Sequence, residues 1–408
     1  MKNRFFIAIA VSLLLLAIGC KENIEQKNWY DPNDYHSYLD MDEEGIYCTL
    51  TYINNEAIIP EYFDGRKVTA IKKEGFKDCE ALKKITINAA LDTIGSGAFS
   101  GCTALESIEI PDSVFRIEPY TFEGCKRLEE VTLPESMISI GERAFSGCKA
   151  LREITIPDRT ESMGDFVFED CESLERVTIG NGIIRIPRYA FSYCRNLKTI
   201  AFGDNVEIID DYAFSDASGL SEIYLPDSIR TIGEGAFFHC ESLEEIILPP
   251  LLEEIPFEAF RLCSSLTVAE LGESITTIGD GAFSGCSSLI DINLPDSIET
   301  IGGAFGGCFA LKEIILPEKI TAIAEGTFMD CKSLKDINWN KCKELRVIEE
   351  EAFRGCEALT SIEIPRTVEE IGIFAFRECY NLESARVPES AFIDIGAFDK
   401  TTIVERYK

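Results

Sequence analysis

One unit, written again and again, constrains this chain more than any other feature. A clear copy runs from Ser274 to Leu294: Ser-Ile-Thr-Thr-Ile-Gly-Asp-Gly-Ala-Phe-Ser-Gly-Cys-Ser-Ser-Leu-Ile-Asp-Ile-Asn-Leu. Its landmark Phe recurs at 76, 99, 122, 145, 168, 191, 214, 237, 260, 283, 305, 328, 353, 376 and 398. Eleven of the fourteen spacings are 23 residues, and the others are 22, 25 and 22. A fixed period in this range means that each unit buries its apolar face against its neighbours, so the array has no single globular centre. The 408 residues need not be divided into two or three ordinary domains.

Counted from each Phe, the positions have separate tasks. Cys stands three residues on in thirteen copies, and Leu stands six on from Leu82 to Leu382. Positions nine and eleven on are apolar, as in Ile108/Ile110 and Ile292/Leu294. Leu-x-x-Ile-x-Ile therefore reads as a strand with alternate residues turned inward. Pro or Gly usually follows, as at Pro111, Gly180 and Pro226, where the ladder ends and a missing N–H is tolerated. Ser-Ile-x-x-Ile-Gly, as at Ser228–Gly233, gives a second extended piece. Ala-Phe-x-x-Cys is expected to turn back as a short 3-10 or helical piece. The Phe rings should stack as a buried ladder. The expected fold is a mainly-β repeat solenoid, a curved array of about 14–15 coils of ~23 residues, with a parallel sheet on its concave face.

The sequence Leu-x-x-Ile-x-Ile-Pro-x-Ser-Ile-x-x-Ile-Gly-x-x-Ala-Phe-x-x-Cys resembles the BspA-type leucine-rich repeat of bacterial surface proteins, over residues 45–400 or so. The resemblance implies a surface protein that binds proteins or cells, and it supplies no catalytic residues.

The N-terminus reads as an export signal. Lys2 and Arg4 precede an apolar run from Phe5 to Ile18, too short for a confident span. The following Ala17-Ile18-Gly19-Cys20 resembles a bacterial lipoprotein signal. Residues 1–19 would be removed and Cys20 lipidated, anchoring the chain in the outer membrane with two or more acyl chains. The competing reading is a plain secretory signal with an incidental Cys. Residues 20–44 read as an acidic tether, 45–75 as a capping hairpin and first coil, 76–398 as the solenoid, and 399–408 as the C-terminal cap.

Composition excludes several functions. The charge is 39 − 71 = −32, which opposes phosphate binding and hence nucleic acid as a partner. His36 and His239 are the only histidines, too few for an ordinary zinc site. No phosphate-cradling glycine loop or nucleophile elbow occurs. No enzyme activity, metal or cofactor is expected. The sixteen cysteines suit an exported disulfide framework, yet the ladder holds an odd number and carries Ala217 in one coil. Small, buried, reduced side chains explain both.

The informative positions are those pointing out of the sheet, eight and ten after each Phe. Eight on stand Glu130, Glu153, Glu222, Glu245 and Glu313, and ten on stand Tyr224, Ile247, Glu270 and Ile315. Stacking files them into an acidic stripe with an apolar centre at Tyr224 and Ile247, the pattern of a protein-binding patch. The rival readings are a glycan-binding accessory protein in nutrient capture, or a spacer without a ligand. Thr93, Ser113, Ser228 and Ser297 each follow Asp and precede an apolar residue, resembling an O-glycosylation sequon of some gut bacteria. The coil after Phe328 carries two extra residues around Trp339, expected as a bulge with the indole packed inside.

Overall fold

The computed structural model describes residues 39–49 and 55–408. Each repeat makes one coil, and about 16 turns stack as a mainly parallel β solenoid. Two sets of strands run along its sides. The longer set includes Glu153–Ile156, paired in parallel with Arg176–Ile179, which pairs in turn with Thr199–Ala201. The second set is two residues long per coil, as in Arg185–Ile186 beside Ile208–Ile209 beside Thr231–Ile232. We call the first set the strand face; it is the side expected to be concave.

The interior follows the repeat. Fifteen Phe rings from Phe76 to Phe398 form one unbroken stack, with centroids from 5.0 Å (Phe376–Phe398) to 5.6 Å (Phe283–Phe305) apart. The ladder Leu, Ile, Ala and Cys residues pack around it, nearly all fully buried. Because the rings meet nearly parallel at the coil spacing, each of the thirteen rings between Phe76 and Phe398 is sealed on both faces by its neighbours.

The Ala-Phe-x-x-Cys segment corrects one expectation, since it is a run of turns and not a helix. Residues two before and two after the Phe take positive φ, as at Gly97 (63°) and Gly101 (74°), or Tyr120 (61°) and Gly124 (69°). This reversal sends alternate amides in opposite directions. Ala98, Ser100 and Cys102 donate within the coil to Gly95, Gly97 and Phe99. Gly97, Phe99 and Gly101 donate to Pro119, Thr121 and Glu123 of the next coil, at 2.8–2.9 Å. A helix would satisfy each coil internally. Here half of these amides join coil to coil, which extends sheet-like cohesion to the third side.

The N-terminal cap begins earlier than the sequence suggested. Leu39–Met41 pairs antiparallel with Ile46–Cys48, and Ile46 then pairs with Ile71 of the first coil. Leu39–Glu44, expected at the end of the tether, is thus folded, because Leu39 and Ile46 are buried. The acidic run supplies the hairpin turn, and Asp42 and Glu44 both pair with Lys72. At the other end Ile403–Tyr407 adds a last parallel strand to Ser384–Pro388. Cys20 and the rest of the signal and tether lie outside the described residues.

Thirteen of the described cysteines are free, and Cys48 and Cys79 interact with one another. Each ladder thiol from Cys102 onward donates to the carbonyl of a Phe in the preceding coil, beginning with Cys102 to Phe76 at 3.0 Å.

Candidate binding face

The strand face presents every outward position read from the sequence. Glu130, Glu153, Glu245, Glu270 and Glu313 all sit on strands with exposed side chains. Parallel pairing sets Glu245 beside Val268 and Ile247 beside Glu270, while Glu313 and Ile315 stand beside Asp336 and Asn338. Tyr224 is 75% exposed, Ile247 54% and Ile315 47%, whereas Ile246 and Ile314 between them are buried. The period-two alternation holds, so these apolar groups face water.

The acidic stripe is not uniform. Arg176 reaches Glu153 at 2.6 Å and also approaches Glu175, which cancels much of the charge in that part. Around Tyr224 nothing cancels it. Among the described residues, Glu222 and Glu245 have no basic partner, and the Tyr224 hydroxyl donates to Glu222 at 3.3 Å. The charges of Glu222 and, more weakly, Glu245 hold the phenol proton on, raising its pKa.

Sequence reasoning missed that the strand ladder opens here. Ser221–Leu225 forms no strand, and the sheet ending at Thr199–Ala201 is separate from the sheet beginning at Glu245–Ile247. One main-chain bond, from Glu244 to Ser221 at 3.2 Å, still ties this stretch to the next coil. The preceding coil carries Phe202 where most coils have Ile or Leu, and its ring meets Phe214 edge-on at 6.2 Å. That larger side chain is the departure from the repeat that the sequence shows beside the opening.

The opening is a cleft of about 430 Å³ whose lining includes Tyr224, Ile247 and Pro249 with Glu222, Asp227, Glu244 and Glu245. Four carboxylates and no cation line it. Such a site favours a positively charged group carried beside an apolar one.

The sequon hydroxyls are placed differently from one another. Ser113, Ser228 and Ser297 donate to Leu91, Val206 and Ile275 of the preceding coil at 2.6–2.7 Å. Thr93 is exposed at the end of a short strand.

A second unread feature lies on the turn side. Phe166, Tyr189 and Tyr212 stack at 4.7 and 5.2 Å, with Arg143 over the open face of Phe166. The ring of Tyr212 covers Gly235. All ring faces in this stack are occupied, so it offers no sugar platform. Among the described residues no group of acidic, His or Cys side chains is arranged to hold a metal.

A solved structure shares this architecture. A leucine-rich repeat protein from Bacteroides ovatus has 28% identity, with 91% of this chain and 98% of that one aligned, at a TM-score of 0.72. A leucine-rich cell surface protein from Faecalibacterium prausnitzii has 26% identity over 86% of this chain and 92% of that one, at a TM-score of 0.49. No curated protein matches the sequence. The profile of the BspA type leucine rich repeat region matches residues 59–174, 115–228, 184–303 and 289–405. With its coils covered almost end to end, the chain belongs to the BspA-type leucine-rich repeat family.

Proposed function

We propose that this is an exported, lipid-anchored surface protein that binds a protein partner through its strand face, in adhesion or cell contact. Repeat arrays of this family are typically binding scaffolds, which supports that reading. The observation that carries the reading is the cleft at Tyr224 and Ile247, where exposed apolar side chains sit inside a ring of unneutralised carboxylates. A partner loop presenting Lys or Arg next to an apolar side chain fits it. The apolar centre supplies affinity and the acidic rim speeds encounter. The anchor rests on Ala17-Ile18-Gly19-Cys20; among the described residues no helix is long and apolar enough to cross a membrane. The glycan reading is weaker, because sugar stacking needs several open aromatic faces and Tyr224 stands alone on this side of its cleft.

The test is binding of the mature protein to an array of host matrix proteins and glycans. The expected result is a protein ligand whose association slows as salt rises. Tyr224→Ala with Ile247→Ser should weaken it while leaving the melting curve unchanged. Retained affinity in that double variant, with loss on substituting the turn side, rules the strand face out.

A further inference from the structure

We propose a second site on the strand face, near its C-terminal end, that takes an extended acidic peptide by strand addition. This goes beyond the cleft at Tyr224, since the place, the ligand charge and the mode of recognition all differ.

The strand ladder is interrupted at several coils, and one of these breaks falls at the two residues inserted after Phe328. Asp336–Asn338 pairs with Glu313–Ile315 before it, and Ser361–Glu363 pairs with Ser384–Arg386 after it, but the two strands do not pair with each other. Their coils stay joined elsewhere. Phe328 and Phe353 stack at 5.3 Å, Ala358 donates to Lys332, and Glu369 donates to Arg346. Between those ties, no main-chain bond links 333–345 to 359–368. The result is a gap of about 610 Å³ with a bare strand edge on either side. Unpaired strand edges are templates for an added strand.

The charge of the gap runs against that of the protein. Lys335, Lys343 and Arg366 line it, and none of the three has an ion-pair partner among the described residues. Of the acids there, Glu363 is already held by Arg386 at 2.5 Å, which leaves Asp336. Residues 332–346 hold five cations and two acids, in a chain with a net charge of −32. Two polar groups are also left over. The Thr367 hydroxyl is buried without a partner. The indole N–H of Trp339, which packs edge-on against Phe353 at 6.2 Å, has no hydrogen bond within the described residues. An incoming peptide offers main-chain carbonyls for the bare edges and for these donors. Its carboxylates meet the lysines.

The chain contains two tryptophans, Trp29 and Trp339, so Trp29→Phe leaves Trp339 as the only indole. The experiment is a titration of that full-length variant with capped hexaglutamate, read by tryptophan emission. The expected result is a saturable change in Trp339 emission, absent with hexalysine. Lys335→Glu with Lys343→Glu, both exposed and unpaired, should weaken it at least tenfold at an unchanged melting temperature. A peptide of the same charge with alternating prolines, which lack the donors of a strand, should bind at least tenfold more weakly than hexaglutamate. No saturable change overturns the site. Equal binding of the proline peptide or of polygalacturonate overturns strand addition, leaving a patch that holds any polyanion.

Discussion

The thiol of Cys240 donates to the carbonyl oxygen of Phe214 in the preceding coil at 3.2 Å. The same bond recurs along the ladder and is missing at one point, where Ala217 leaves the carbonyl of Phe191 without a thiol. Burial pushes these thiols well above their ordinary pKa, to about 12 at Cys263 and Cys308, which removes the reactive thiolate. In the native protein the ladder cysteines should therefore resist alkylation at pH 8. After denaturation without reductant, nearly all should react, as counted by mass spectrometry. Cys240→Ala should cost roughly 1–2 kcal/mol, the lost bond plus a small void. Blocked ladder thiols that only a reductant releases would contradict this.

Removing one ring from the Phe stack is expected to be costly, because its neighbours lose contact on both sides. Phe305 lies 5.6 Å from Phe283 and 5.5 Å from Phe328. Phe305→Ala should destabilise by about 3–5 kcal/mol in urea unfolding, and Phe305→Leu by less. A loss under about 1 kcal/mol for the alanine variant would mean that the coils close over the void.

His239 should make stability depend on pH. Its Nδ1 lies 2.7 Å from Asp216, and its Nε2 lies 2.9 Å from Glu241. The bond to Asp216, aided by both carboxylate charges, raises the imidazole pKa above its usual 6.5. A raised folded-state pKa stabilises most below the unfolded value, and the gain disappears as pH rises through the folded value. The melting temperature of the native chain should therefore fall from pH 6 to pH 8 relative to that of His239→Gln. Parallel curves for the two proteins would leave His239 without this role.

The repeat made the architecture legible because packing allows few residues at the inward positions. Phe283, Cys286, Leu289 and Ile292 announce the same coil that Phe99, Cys102, Leu105 and Ile108 do. Outward residues were legible as well, since period-two alternation fixes which way Tyr224 and Ile247 point. What the pattern hid was where the ladder fails. Phe202 differs from its counterparts by size alone, and whether a larger ring is absorbed inside or lifts the next strand depends on three-dimensional slack. The helical expectation for Ala-Phe-x-x-Cys failed for a local reason. Residues such as Tyr120 and Phe166 take positive φ (61° and 59°), which their side chains do not advertise. Long-range neighbours impose that conformation, because coil-to-coil amide bonds recover more than the backbone strain costs. The Phe166–Tyr189–Tyr212 stack escaped notice for the same reason, since its members occupy a position with no fixed residue type.

The sequon reading now distinguishes one hydroxyl from three. Ser113, Ser228 and Ser297 each donate a short bond to the preceding coil, which explains why Ser suits this place in the repeat without reference to sugar. A transferase would have to break that bond and reach a part-buried oxygen. Thr93 is exposed and makes no such bond. If the chain is O-glycosylated in its native host, sugar should be found on Thr93 and be absent from the three serines, as read by peptide mass spectrometry. Thr93→Ala should then remove the added mass. Ser228→Ala should leave the mass pattern intact and instead lower stability by about 1 kcal/mol, the usual worth of one hydrogen bond. Sugar on Ser228 with Thr93 bare would reverse the assignment and require the coil to loosen before it is modified.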